Sequence, residues 1–249
     1  MIIIKAGGSA ITMKDKPYTL DETAMHHTAK QLVQIKEPVI LIHGVGSYGH
    51  PPAKQYQIGL GYDGSLERVW GLMLTHYWVD ELSQRFTRVL LDHELLALRC
   101  RPTTLFVTDQ RRIVQFNKEP LDRFLKMNIL PVLHGDGPAD RSQGFCVLSG
   151  DQIAVYLAKI YKARKVIFGM DVPGILKSGR PVGHVRYDEL LSFSKYIKDN
   201  EDASGGLAKK LQEIAALKSE RIPVQLVSLH NPDDLLRAVN DQTAGTLID

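Results

Sequence analysis

A chain of 249 residues with 44% apolar and 24% charged residues is long enough for one substantial core and too average in composition for a disordered or membrane protein. Its formal net charge of +3 comes from scattered basic residues rather than a basic arm, which gives no argument for nucleic acid or a membrane surface and leaves a small anionic ligand compatible. Cys100 and Cys146 are the only cysteines, with no His or Cys at metal-ligand spacing, so no zinc site and no disulfide framework is expected, and a reduced cytoplasmic setting is. The apolar run after Met1 is too short for a signal-peptide core or a spanning helix, in keeping with that setting.

In chain order, an Ile-rich run over 2–5 predicts a buried strand, and the helix-period stretch over 20–35 predicts a helix. A strand follows at 39–43 and a long helix at 66–91. Further strands are expected at 104–107 and 129–134, then a helix at 152–161, a strand at 166–168, a helix at 207–219, a strand at 224–227 and a helix at 232–239. Strands that are apolar on both faces and alternate with helices predict a mostly parallel sheet covered on two sides. Ser178-Gly179-Arg180-Pro181 has the chemistry of a hairpin turn, and 198–206 that of a mobile polar loop.

In such a sheet, ligands bind beyond the carboxyl ends of the strands. The loops there are rich in glycine: Gly7-Gly8-Ser9 after the first strand, Gly44-Val45-Gly46-Ser47-Tyr48-Gly49-His50 after the second, Gly135-Asp136-Gly137 after 129–134, and Gly169-Met170-Asp171-Val172-Pro173-Gly174 after 166–168. Glycine lets backbone N–H groups approach a phosphate, although a single glycine turn after a strand is as readily just a turn. Neither the Walker pattern nor the dinucleotide fingerprint is present, and no protein-kinase catalytic loop appears, so a nucleotide site here must be of another type.

Lys5-Ala6-Gly7-Gly8-Ser9, the loop ending in His50, Ser149-Gly150-Asp151 before a helix, the turn at Asp171-Val172-Pro173-Gly174 and the late Ser204-Gly205-Gly206-Leu207-Ala208-Lys209-Lys210 together resemble the amino acid kinase superfamily. Because of His50 and the segments His134-Gly135-Asp136 and Gly144-Phe145, the chain most resembles the isopentenyl phosphate kinases within it. Two departures are Val45, where many relatives carry glycine, and Ala203-Ser204-Gly205-Gly206-Leu207 in place of the commoner Val-Thr-Gly-Gly-Met.

The resemblance implies an open αβα sandwich with a mainly parallel central sheet, a single domain over 1–249. Its acceptor-binding part would span about 1–160 and its nucleotide-binding part about 161–249. It further implies a homodimer that uses ATP with Mg²⁺, without a protein metal site, to phosphorylate a small phosphorylated substrate in isoprenoid biosynthesis. Lys5, Lys14 and Lys210 would then reach ATP phosphates, with Lys16 and Lys209 as competing candidates. Gly7, Gly8, Ser9, Asp171 and Gly174 would complete the nucleotide side. Gly44, Val45, Gly46, Gly49, His50, Ser149 and Gly150 would hold the acceptor.

Asp151 reads either as a helix cap or as the carboxylate that organises the lysines, and the two are compatible. His50 is assigned to positioning and electrostatics, because a phosphate monoester with a second pKa near ~6 is already a nucleophile at neutral pH. Trp70, Met73 and Tyr77 stand at helical spacing. Such a stripe is usually core or dimer interface; its sharper reading is a wall for a short hydrocarbon tail.

Overall fold

All five residues of β1 (Ile2–Ala6) are buried, Ile2 and Ile4 in a hydrophobic core on one face and Ile3 in a second core on the other. A strand covered on both faces needs an unbroken apolar run, and Ile2-Ile3-Ile4 supplies it. The computed structural model describes residues 1–200 and 206–249. The next strands are β2 (Val39–His43), β3 (Ala97–Arg99), β4 (Phe106–Asp109), β5 (Arg112–Phe116), β6 (Leu130–His134), β7 (Ala139–Asp140), β8 (Gly144–Phe145) and β9 (Lys165–Met170). They are followed by β10 (Leu176–Lys177), β11 (Arg180–Pro181), β12 (His184–Val185), β13 (Val224–Ser228) and β14 (Thr246–Ile248). The helices are α1 (Gly8–Ile11), α2 (Glu22–Leu32), α3 (Gly46–Gln55), α4 (Leu66–Asp92), α5 (Pro102–Leu105), α6 (Glu119–Lys126), α7 (Gly150–Ile160), α8 (Leu190–Asn200), α9 (Gly206–Ile214) and α10 (Asp234–Val239).

Eight strands form one sheet in the order β12-β14-β13-β9-β1-β2-β6-β3, in which every neighbouring pair except β13–β14 is parallel. On one face Met25 and Ala29 of α2, Leu82, Phe86 and Leu90 of α4, and Leu235 of α10 pack into a single core. On the other, Ile153 and Leu157 of α7, Ile197 of α8 and Leu211 of α9 do the same. This is the expected αβα sandwich, and β1 at its centre carries its first loop to the middle of the carboxyl edge.

Some expectations are corrected. The apolar run at 104–107 is not a strand of the main sheet: α5 ends at Leu105, and β4 joins a separate four-stranded sheet ordered β5-β4-β7-β8. Pro102, pre-set for the first helical turn, starts that helix, and a run of four residues with three apolar ones cannot tell such a turn from a strand. The stretch 198–206 is not one loop, since α8 runs to Asn200 and α9 begins at Gly206; Ser204 and Gly205 of the motif lie outside the described residues. The hairpin turn is as expected, with Ser178 and Gly179 both at positive φ between β10 and β11.

The glycine-rich segment after β2 is shorter than its sequence suggests, because α3 already starts at Gly46 and contains Pro51 and Pro52. A proline inside a helix withdraws the N–H that the carbonyl four residues earlier would accept. For Pro51 that carbonyl is Ser47 O, and Tyr18 N–H donates to it instead at 3.1 Å. The missing helical bond thereby tethers the loop that carries Lys14 to α3.

Candidate active site

The loops after β1, β2, β6 and β9 border one cleft of about 1160 Å³ at the carboxyl edge of the sheet. Glycine is required there first by the loops themselves. A Cβ on Gly8 would lie 2.3 Å from Gly46 N, and one on Gly44 would lie 2.4 Å from Gly8 N, so the backbones after β1 and β2 touch directly. Gly46 also has φ +45, a left-handed conformation that favours glycine. Val45, the departure noted above, packs its side chain against Gly49 and Gly135, where a Cβ would come within 2.6 and 3.1 Å of it.

At the floor of the cleft Lys5, from the end of β1, and Lys210, from α9, converge on Asp151 in the first turn of α7. Lys5 Nζ lies 3.0 Å from Asp151 Oδ1, and Lys210 Nζ lies 3.0 and 2.8 Å from the two carboxylate oxygens. Ser149, rather than Asp151, caps the helix, its hydroxyl accepting from Gln152 N–H at 3.1 Å. Asp151 is therefore free to face the lysines.

Burial alone would raise the Asp151 carboxyl, but the Lys210 and Lys5 ammonium groups outweigh it and hold the group well below the usual carboxylate range. Burial pushes Lys210 down to about 8; Asp151 opposes this and Lys5 adds to it. One carboxylate shared by two ammonium groups leaves a net positive charge at the floor, and Lys210 Nζ also stands 4.9 Å over the Phe168 ring. A dry cationic site of this kind favours an anion.

Lys14 also borders the cleft, its Nζ 2.5 Å from Asp171 Oδ2, while Ser9 Oγ donates to Asp171 Oδ1 at 3.1 Å. Lys16 is exposed and is not among the lining residues, whereas Lys209 lines the cleft beside Lys210. Gly7, Gly174, Gly49, Ser149 and Gly150 line it as well. His50, an exposed residue in the second turn of α3, lines the cleft. Desolvation within the cleft and the Lys5 ammonium lower its pKa from the ordinary value, which favours the neutral imidazole.

Trp70, Met73 and Tyr77 are not brought to the cleft. They are 59%, 47% and 62% exposed on the outer side of α4, whose contribution to the lining is Thr75. The pocket wall expected of them is corrected to Ala53 of α3, Ile58, and Val147 and Leu148 ahead of α7.

The sequence pattern of the Amino acid kinase family matches residues 1–228. The chain belongs to that family. The isopentenyl phosphate kinase of Methanothermobacter thermautotrophicus is 28% identical over 265 residues, covering 100% of this chain and 98% of its own. That of Methanocaldococcus jannaschii is 26% identical over 268 residues with the same coverage. An X-ray structure of isopentenyl phosphate kinase superposes with a TM-score of 0.86 at 25% identity over 100% of both chains.

This member of the amino acid kinase family carries cleft residues that the sequence reading missed. Arg111, at the tip of the β4–β5 hairpin with φ +65, and Arg112 both line the cleft. Arg112 makes a bidentate pair with Glu213 of α9 at 2.7 and 3.0 Å, which straps the hairpin to the helix that bears Lys210. Asp136 lies below, its Oδ1 2.8 Å from His76 Nδ1 and accepting from Gly137 N–H at 2.9 Å. Burial would raise the Asp136 carboxyl, but the His76 bond and charge together with Thr103 keep it strongly acidic, and the His76 ring is raised in turn. Turn residues that meet only through tertiary folding give no spacing signal, although paired arginines at a hairpin tip were a visible cue. Among the described residues no group of three or more His, Cys, Asp and Glu side chains converges to hold a metal ion, and no helix is long and apolar enough to cross a membrane. Use of ATP follows from kinase family membership.

Proposed function

We propose that this chain transfers the terminal phosphoryl group of ATP to isopentenyl phosphate, giving isopentenyl diphosphate for isoprenoid biosynthesis. The observation that carries the reading is the Lys5–Asp151–Lys210 cluster, a buried net positive charge in a cleft that is also lined by His50 and a small apolar surface. The full-length similarity to isopentenyl phosphate kinases supports the choice of acceptor.

In this reading Lys5, Lys14 and Lys210 neutralise charge spreading over the transferred oxygens, and Asp151 holds two of them apart at a fixed distance. Ser9, Asp171 and Gly174 lie on the nucleotide side, toward the part of the chain at about 161–249. Gly44 to Gly46, Gly49, His50, Ser149 and Gly150, in the part at about 1–160, receive the acceptor phosphate. The acceptor is already dianionic and needs alignment, which an N–H of the His50 ring supplies without taking a proton. Ala53 and Ile58 receive the hydrocarbon tail. Mg²⁺ accompanies ATP, held by phosphate oxygens and water, as that ion commonly is. The protein works in the cytoplasm as a homodimer, with the exposed stripe of Trp70, Met73 and Tyr77 as the interface.

The test is ATP consumption with product mass on isopentenyl phosphate, dimethylallyl phosphate, fosfomycin and N-acetylglutamate. Turnover on the first two is expected; turnover confined to the phosphonate or the carboxylate would overturn the reading.

A further inference from the structure

β2 and β6 each end in a histidine, and the register sets His43 opposite His134. Strand alternation turns both side chains to the face covered by α4, the face of Val39, Leu41 and Val132. There the His43 ring meets Phe86 edge-on at 5.9 Å between centroids, and the two imidazoles lie 5.4 Å apart. Neither histidine lines the cleft, and they are 0% and 2% exposed.

Both rings make the same contact. Nδ1 lies 3.0 Å from the carbonyl oxygen of the following residue, Gly44 for His43 and Gly135 for His134. A carbonyl oxygen only accepts, so Nδ1 carries the ring proton in each case. His43 Nε2 has no hydrogen-bond partner among the described residues, so Nδ1 is the atom that earns the ring its place. Burial, the neighbouring His134 and the Lys5 ammonium push His43 down to about 3, which keeps it neutral at physiological pH.

A peptide unit is planar and trans, so a carbonyl drawn toward the core turns the N–H of the next residue away from it. At Gly44 that N–H belongs to Val45, which lines the cleft and whose N–H bonds to no described backbone or side-chain group. At Gly135 the same turn aims Asp136 N–H at Leu148 O, 2.9 Å away, and Leu148 N–H returns a bond of 2.8 Å. That bridge leads directly into Ser149-Gly150-Asp151.

We propose that His43 and His134 are positioning residues of the phosphoryl-transfer site, whose Nδ1–H groups set the peptide planes of two glycine loops. His43 thereby holds the Val45 N–H ready for an oxygen of the phosphorylated acceptor, and His134 holds the segment that delivers Asp151. The identity of the anion at Val45 rests on the function proposed above; the tautomers do not.

Asn places its amide N–H₂ where histidine has Nδ1–H, and Gln places it near Nε2. His43→Asn should keep the acceptor KM close to that of the wild type. His43→Gln and His43→Leu should raise it by about tenfold to a hundredfold, the value of one hydrogen bond to a charged group, with the ATP KM nearly unchanged. Equal effects of Asn and Gln, or a loss in the ATP KM alone, would overturn the inference. Nitrogen NMR of the unmodified protein supplies the arm that does not depend on a folded variant or on turnover. Both rings protonated at Nδ1, with His43 not titrating between pH 5 and pH 8, are expected, and a ring protonated at Nε2 alone would overturn the inference. Because that arm reads the protein without substrate, it separates this inference from the acceptor assignment: silence toward every phosphorylated acceptor would remove the latter only.

Discussion

Asp151→Asn keeps the side-chain shape in the first turn of α7 and removes the charge between two lysines. With Lys5 and Lys210 at 3.0 and 2.8 Å from the carboxylate, the gross attraction per contact is roughly 5–6 kcal/mol at an effective dielectric of about 20. The loss in stability is smaller, because Lys210 can shed its proton. It already titrates near 8, and without its counter-charge it falls below 7 and becomes neutral at neutral pH. Leaving the charged state from a pKa of about 8 at pH 7 costs about 1.4 kcal/mol, one pK unit. Adding the hydrogen bonds lost gives a deficit of roughly 2–4 kcal/mol at pH 7.

The pH dependence has a definite sign. A lysine whose folded pKa lies below its ordinary 10.5 binds fewer protons folded than unfolded, so stability rises with pH between the two values. In the variant this rise begins below pH 7, and in the wild type only near 8, so the deficit should shrink by about 1.4 kcal/mol between pH 7 and pH 9. Urea unfolding of both proteins at the two pH values measures it. A deficit that is constant or grows with pH would refute the shared-carboxylate reasoning, as would a variant within about 0.5 kcal/mol of the wild type at pH 7, the range of an ordinary surface change.

Four further outcomes follow from the same geometry. In the free enzyme kcat/KM for ATP should fall as pH rises through about 8, when Lys210 loses its charge, and the limb in kcat should lie higher because bound phosphates favour the ammonium; pH–rate profiles flat to pH 10 would contradict this. His50→Gln, which retains a donor, should keep about tenfold or more of the kcat that His50→Ala loses, and equal losses would argue against a hydrogen-bonding role. Ile58→Ala should extend the chain length of accepted alkyl phosphates at about 2–4 kcal/mol of stability, while Trp70→Ala leaves the profile unchanged; a shift with Trp70→Ala instead would return that residue to the pocket. Gly8→Ala should disrupt the contact between the first two loops, since its Cβ would meet backbone at 2.3 Å, and a folded variant with normal ATP KM would contradict that.

The cleft was legible where chemistry follows strand ends. Lys5, the two first glycine loops, Ser149 to Asp151 and Asp171 all stand at the end of or directly after apolar runs that form buried parallel strands, or at the first turn of a periodic helix. The long helix α4 misled because periodicity marks stripes without saying which one is inside. Leu72, Val79, Leu82, Phe86 and Leu90 face inward, and the equally periodic Trp70, Met73 and Tyr77 face out. Helix α3 was hidden by two prolines and two glycines, residues that oppose helices locally and are tolerated here because Tyr18 takes up the orphaned carbonyl. The Arg112–Glu213 strap and the His76–Asp136 pair join residues far apart in the chain, so no local pattern announces them.

The cationic floor joins the earliest and one of the later parts of the polypeptide. Lys5 leaves the ribosome long before Lys210, and β1 waits for β9 to flank it on its second side. During synthesis the paired-lysine floor is therefore incomplete until α9 has emerged, and a fragment ending before α9 should not turn over ATP.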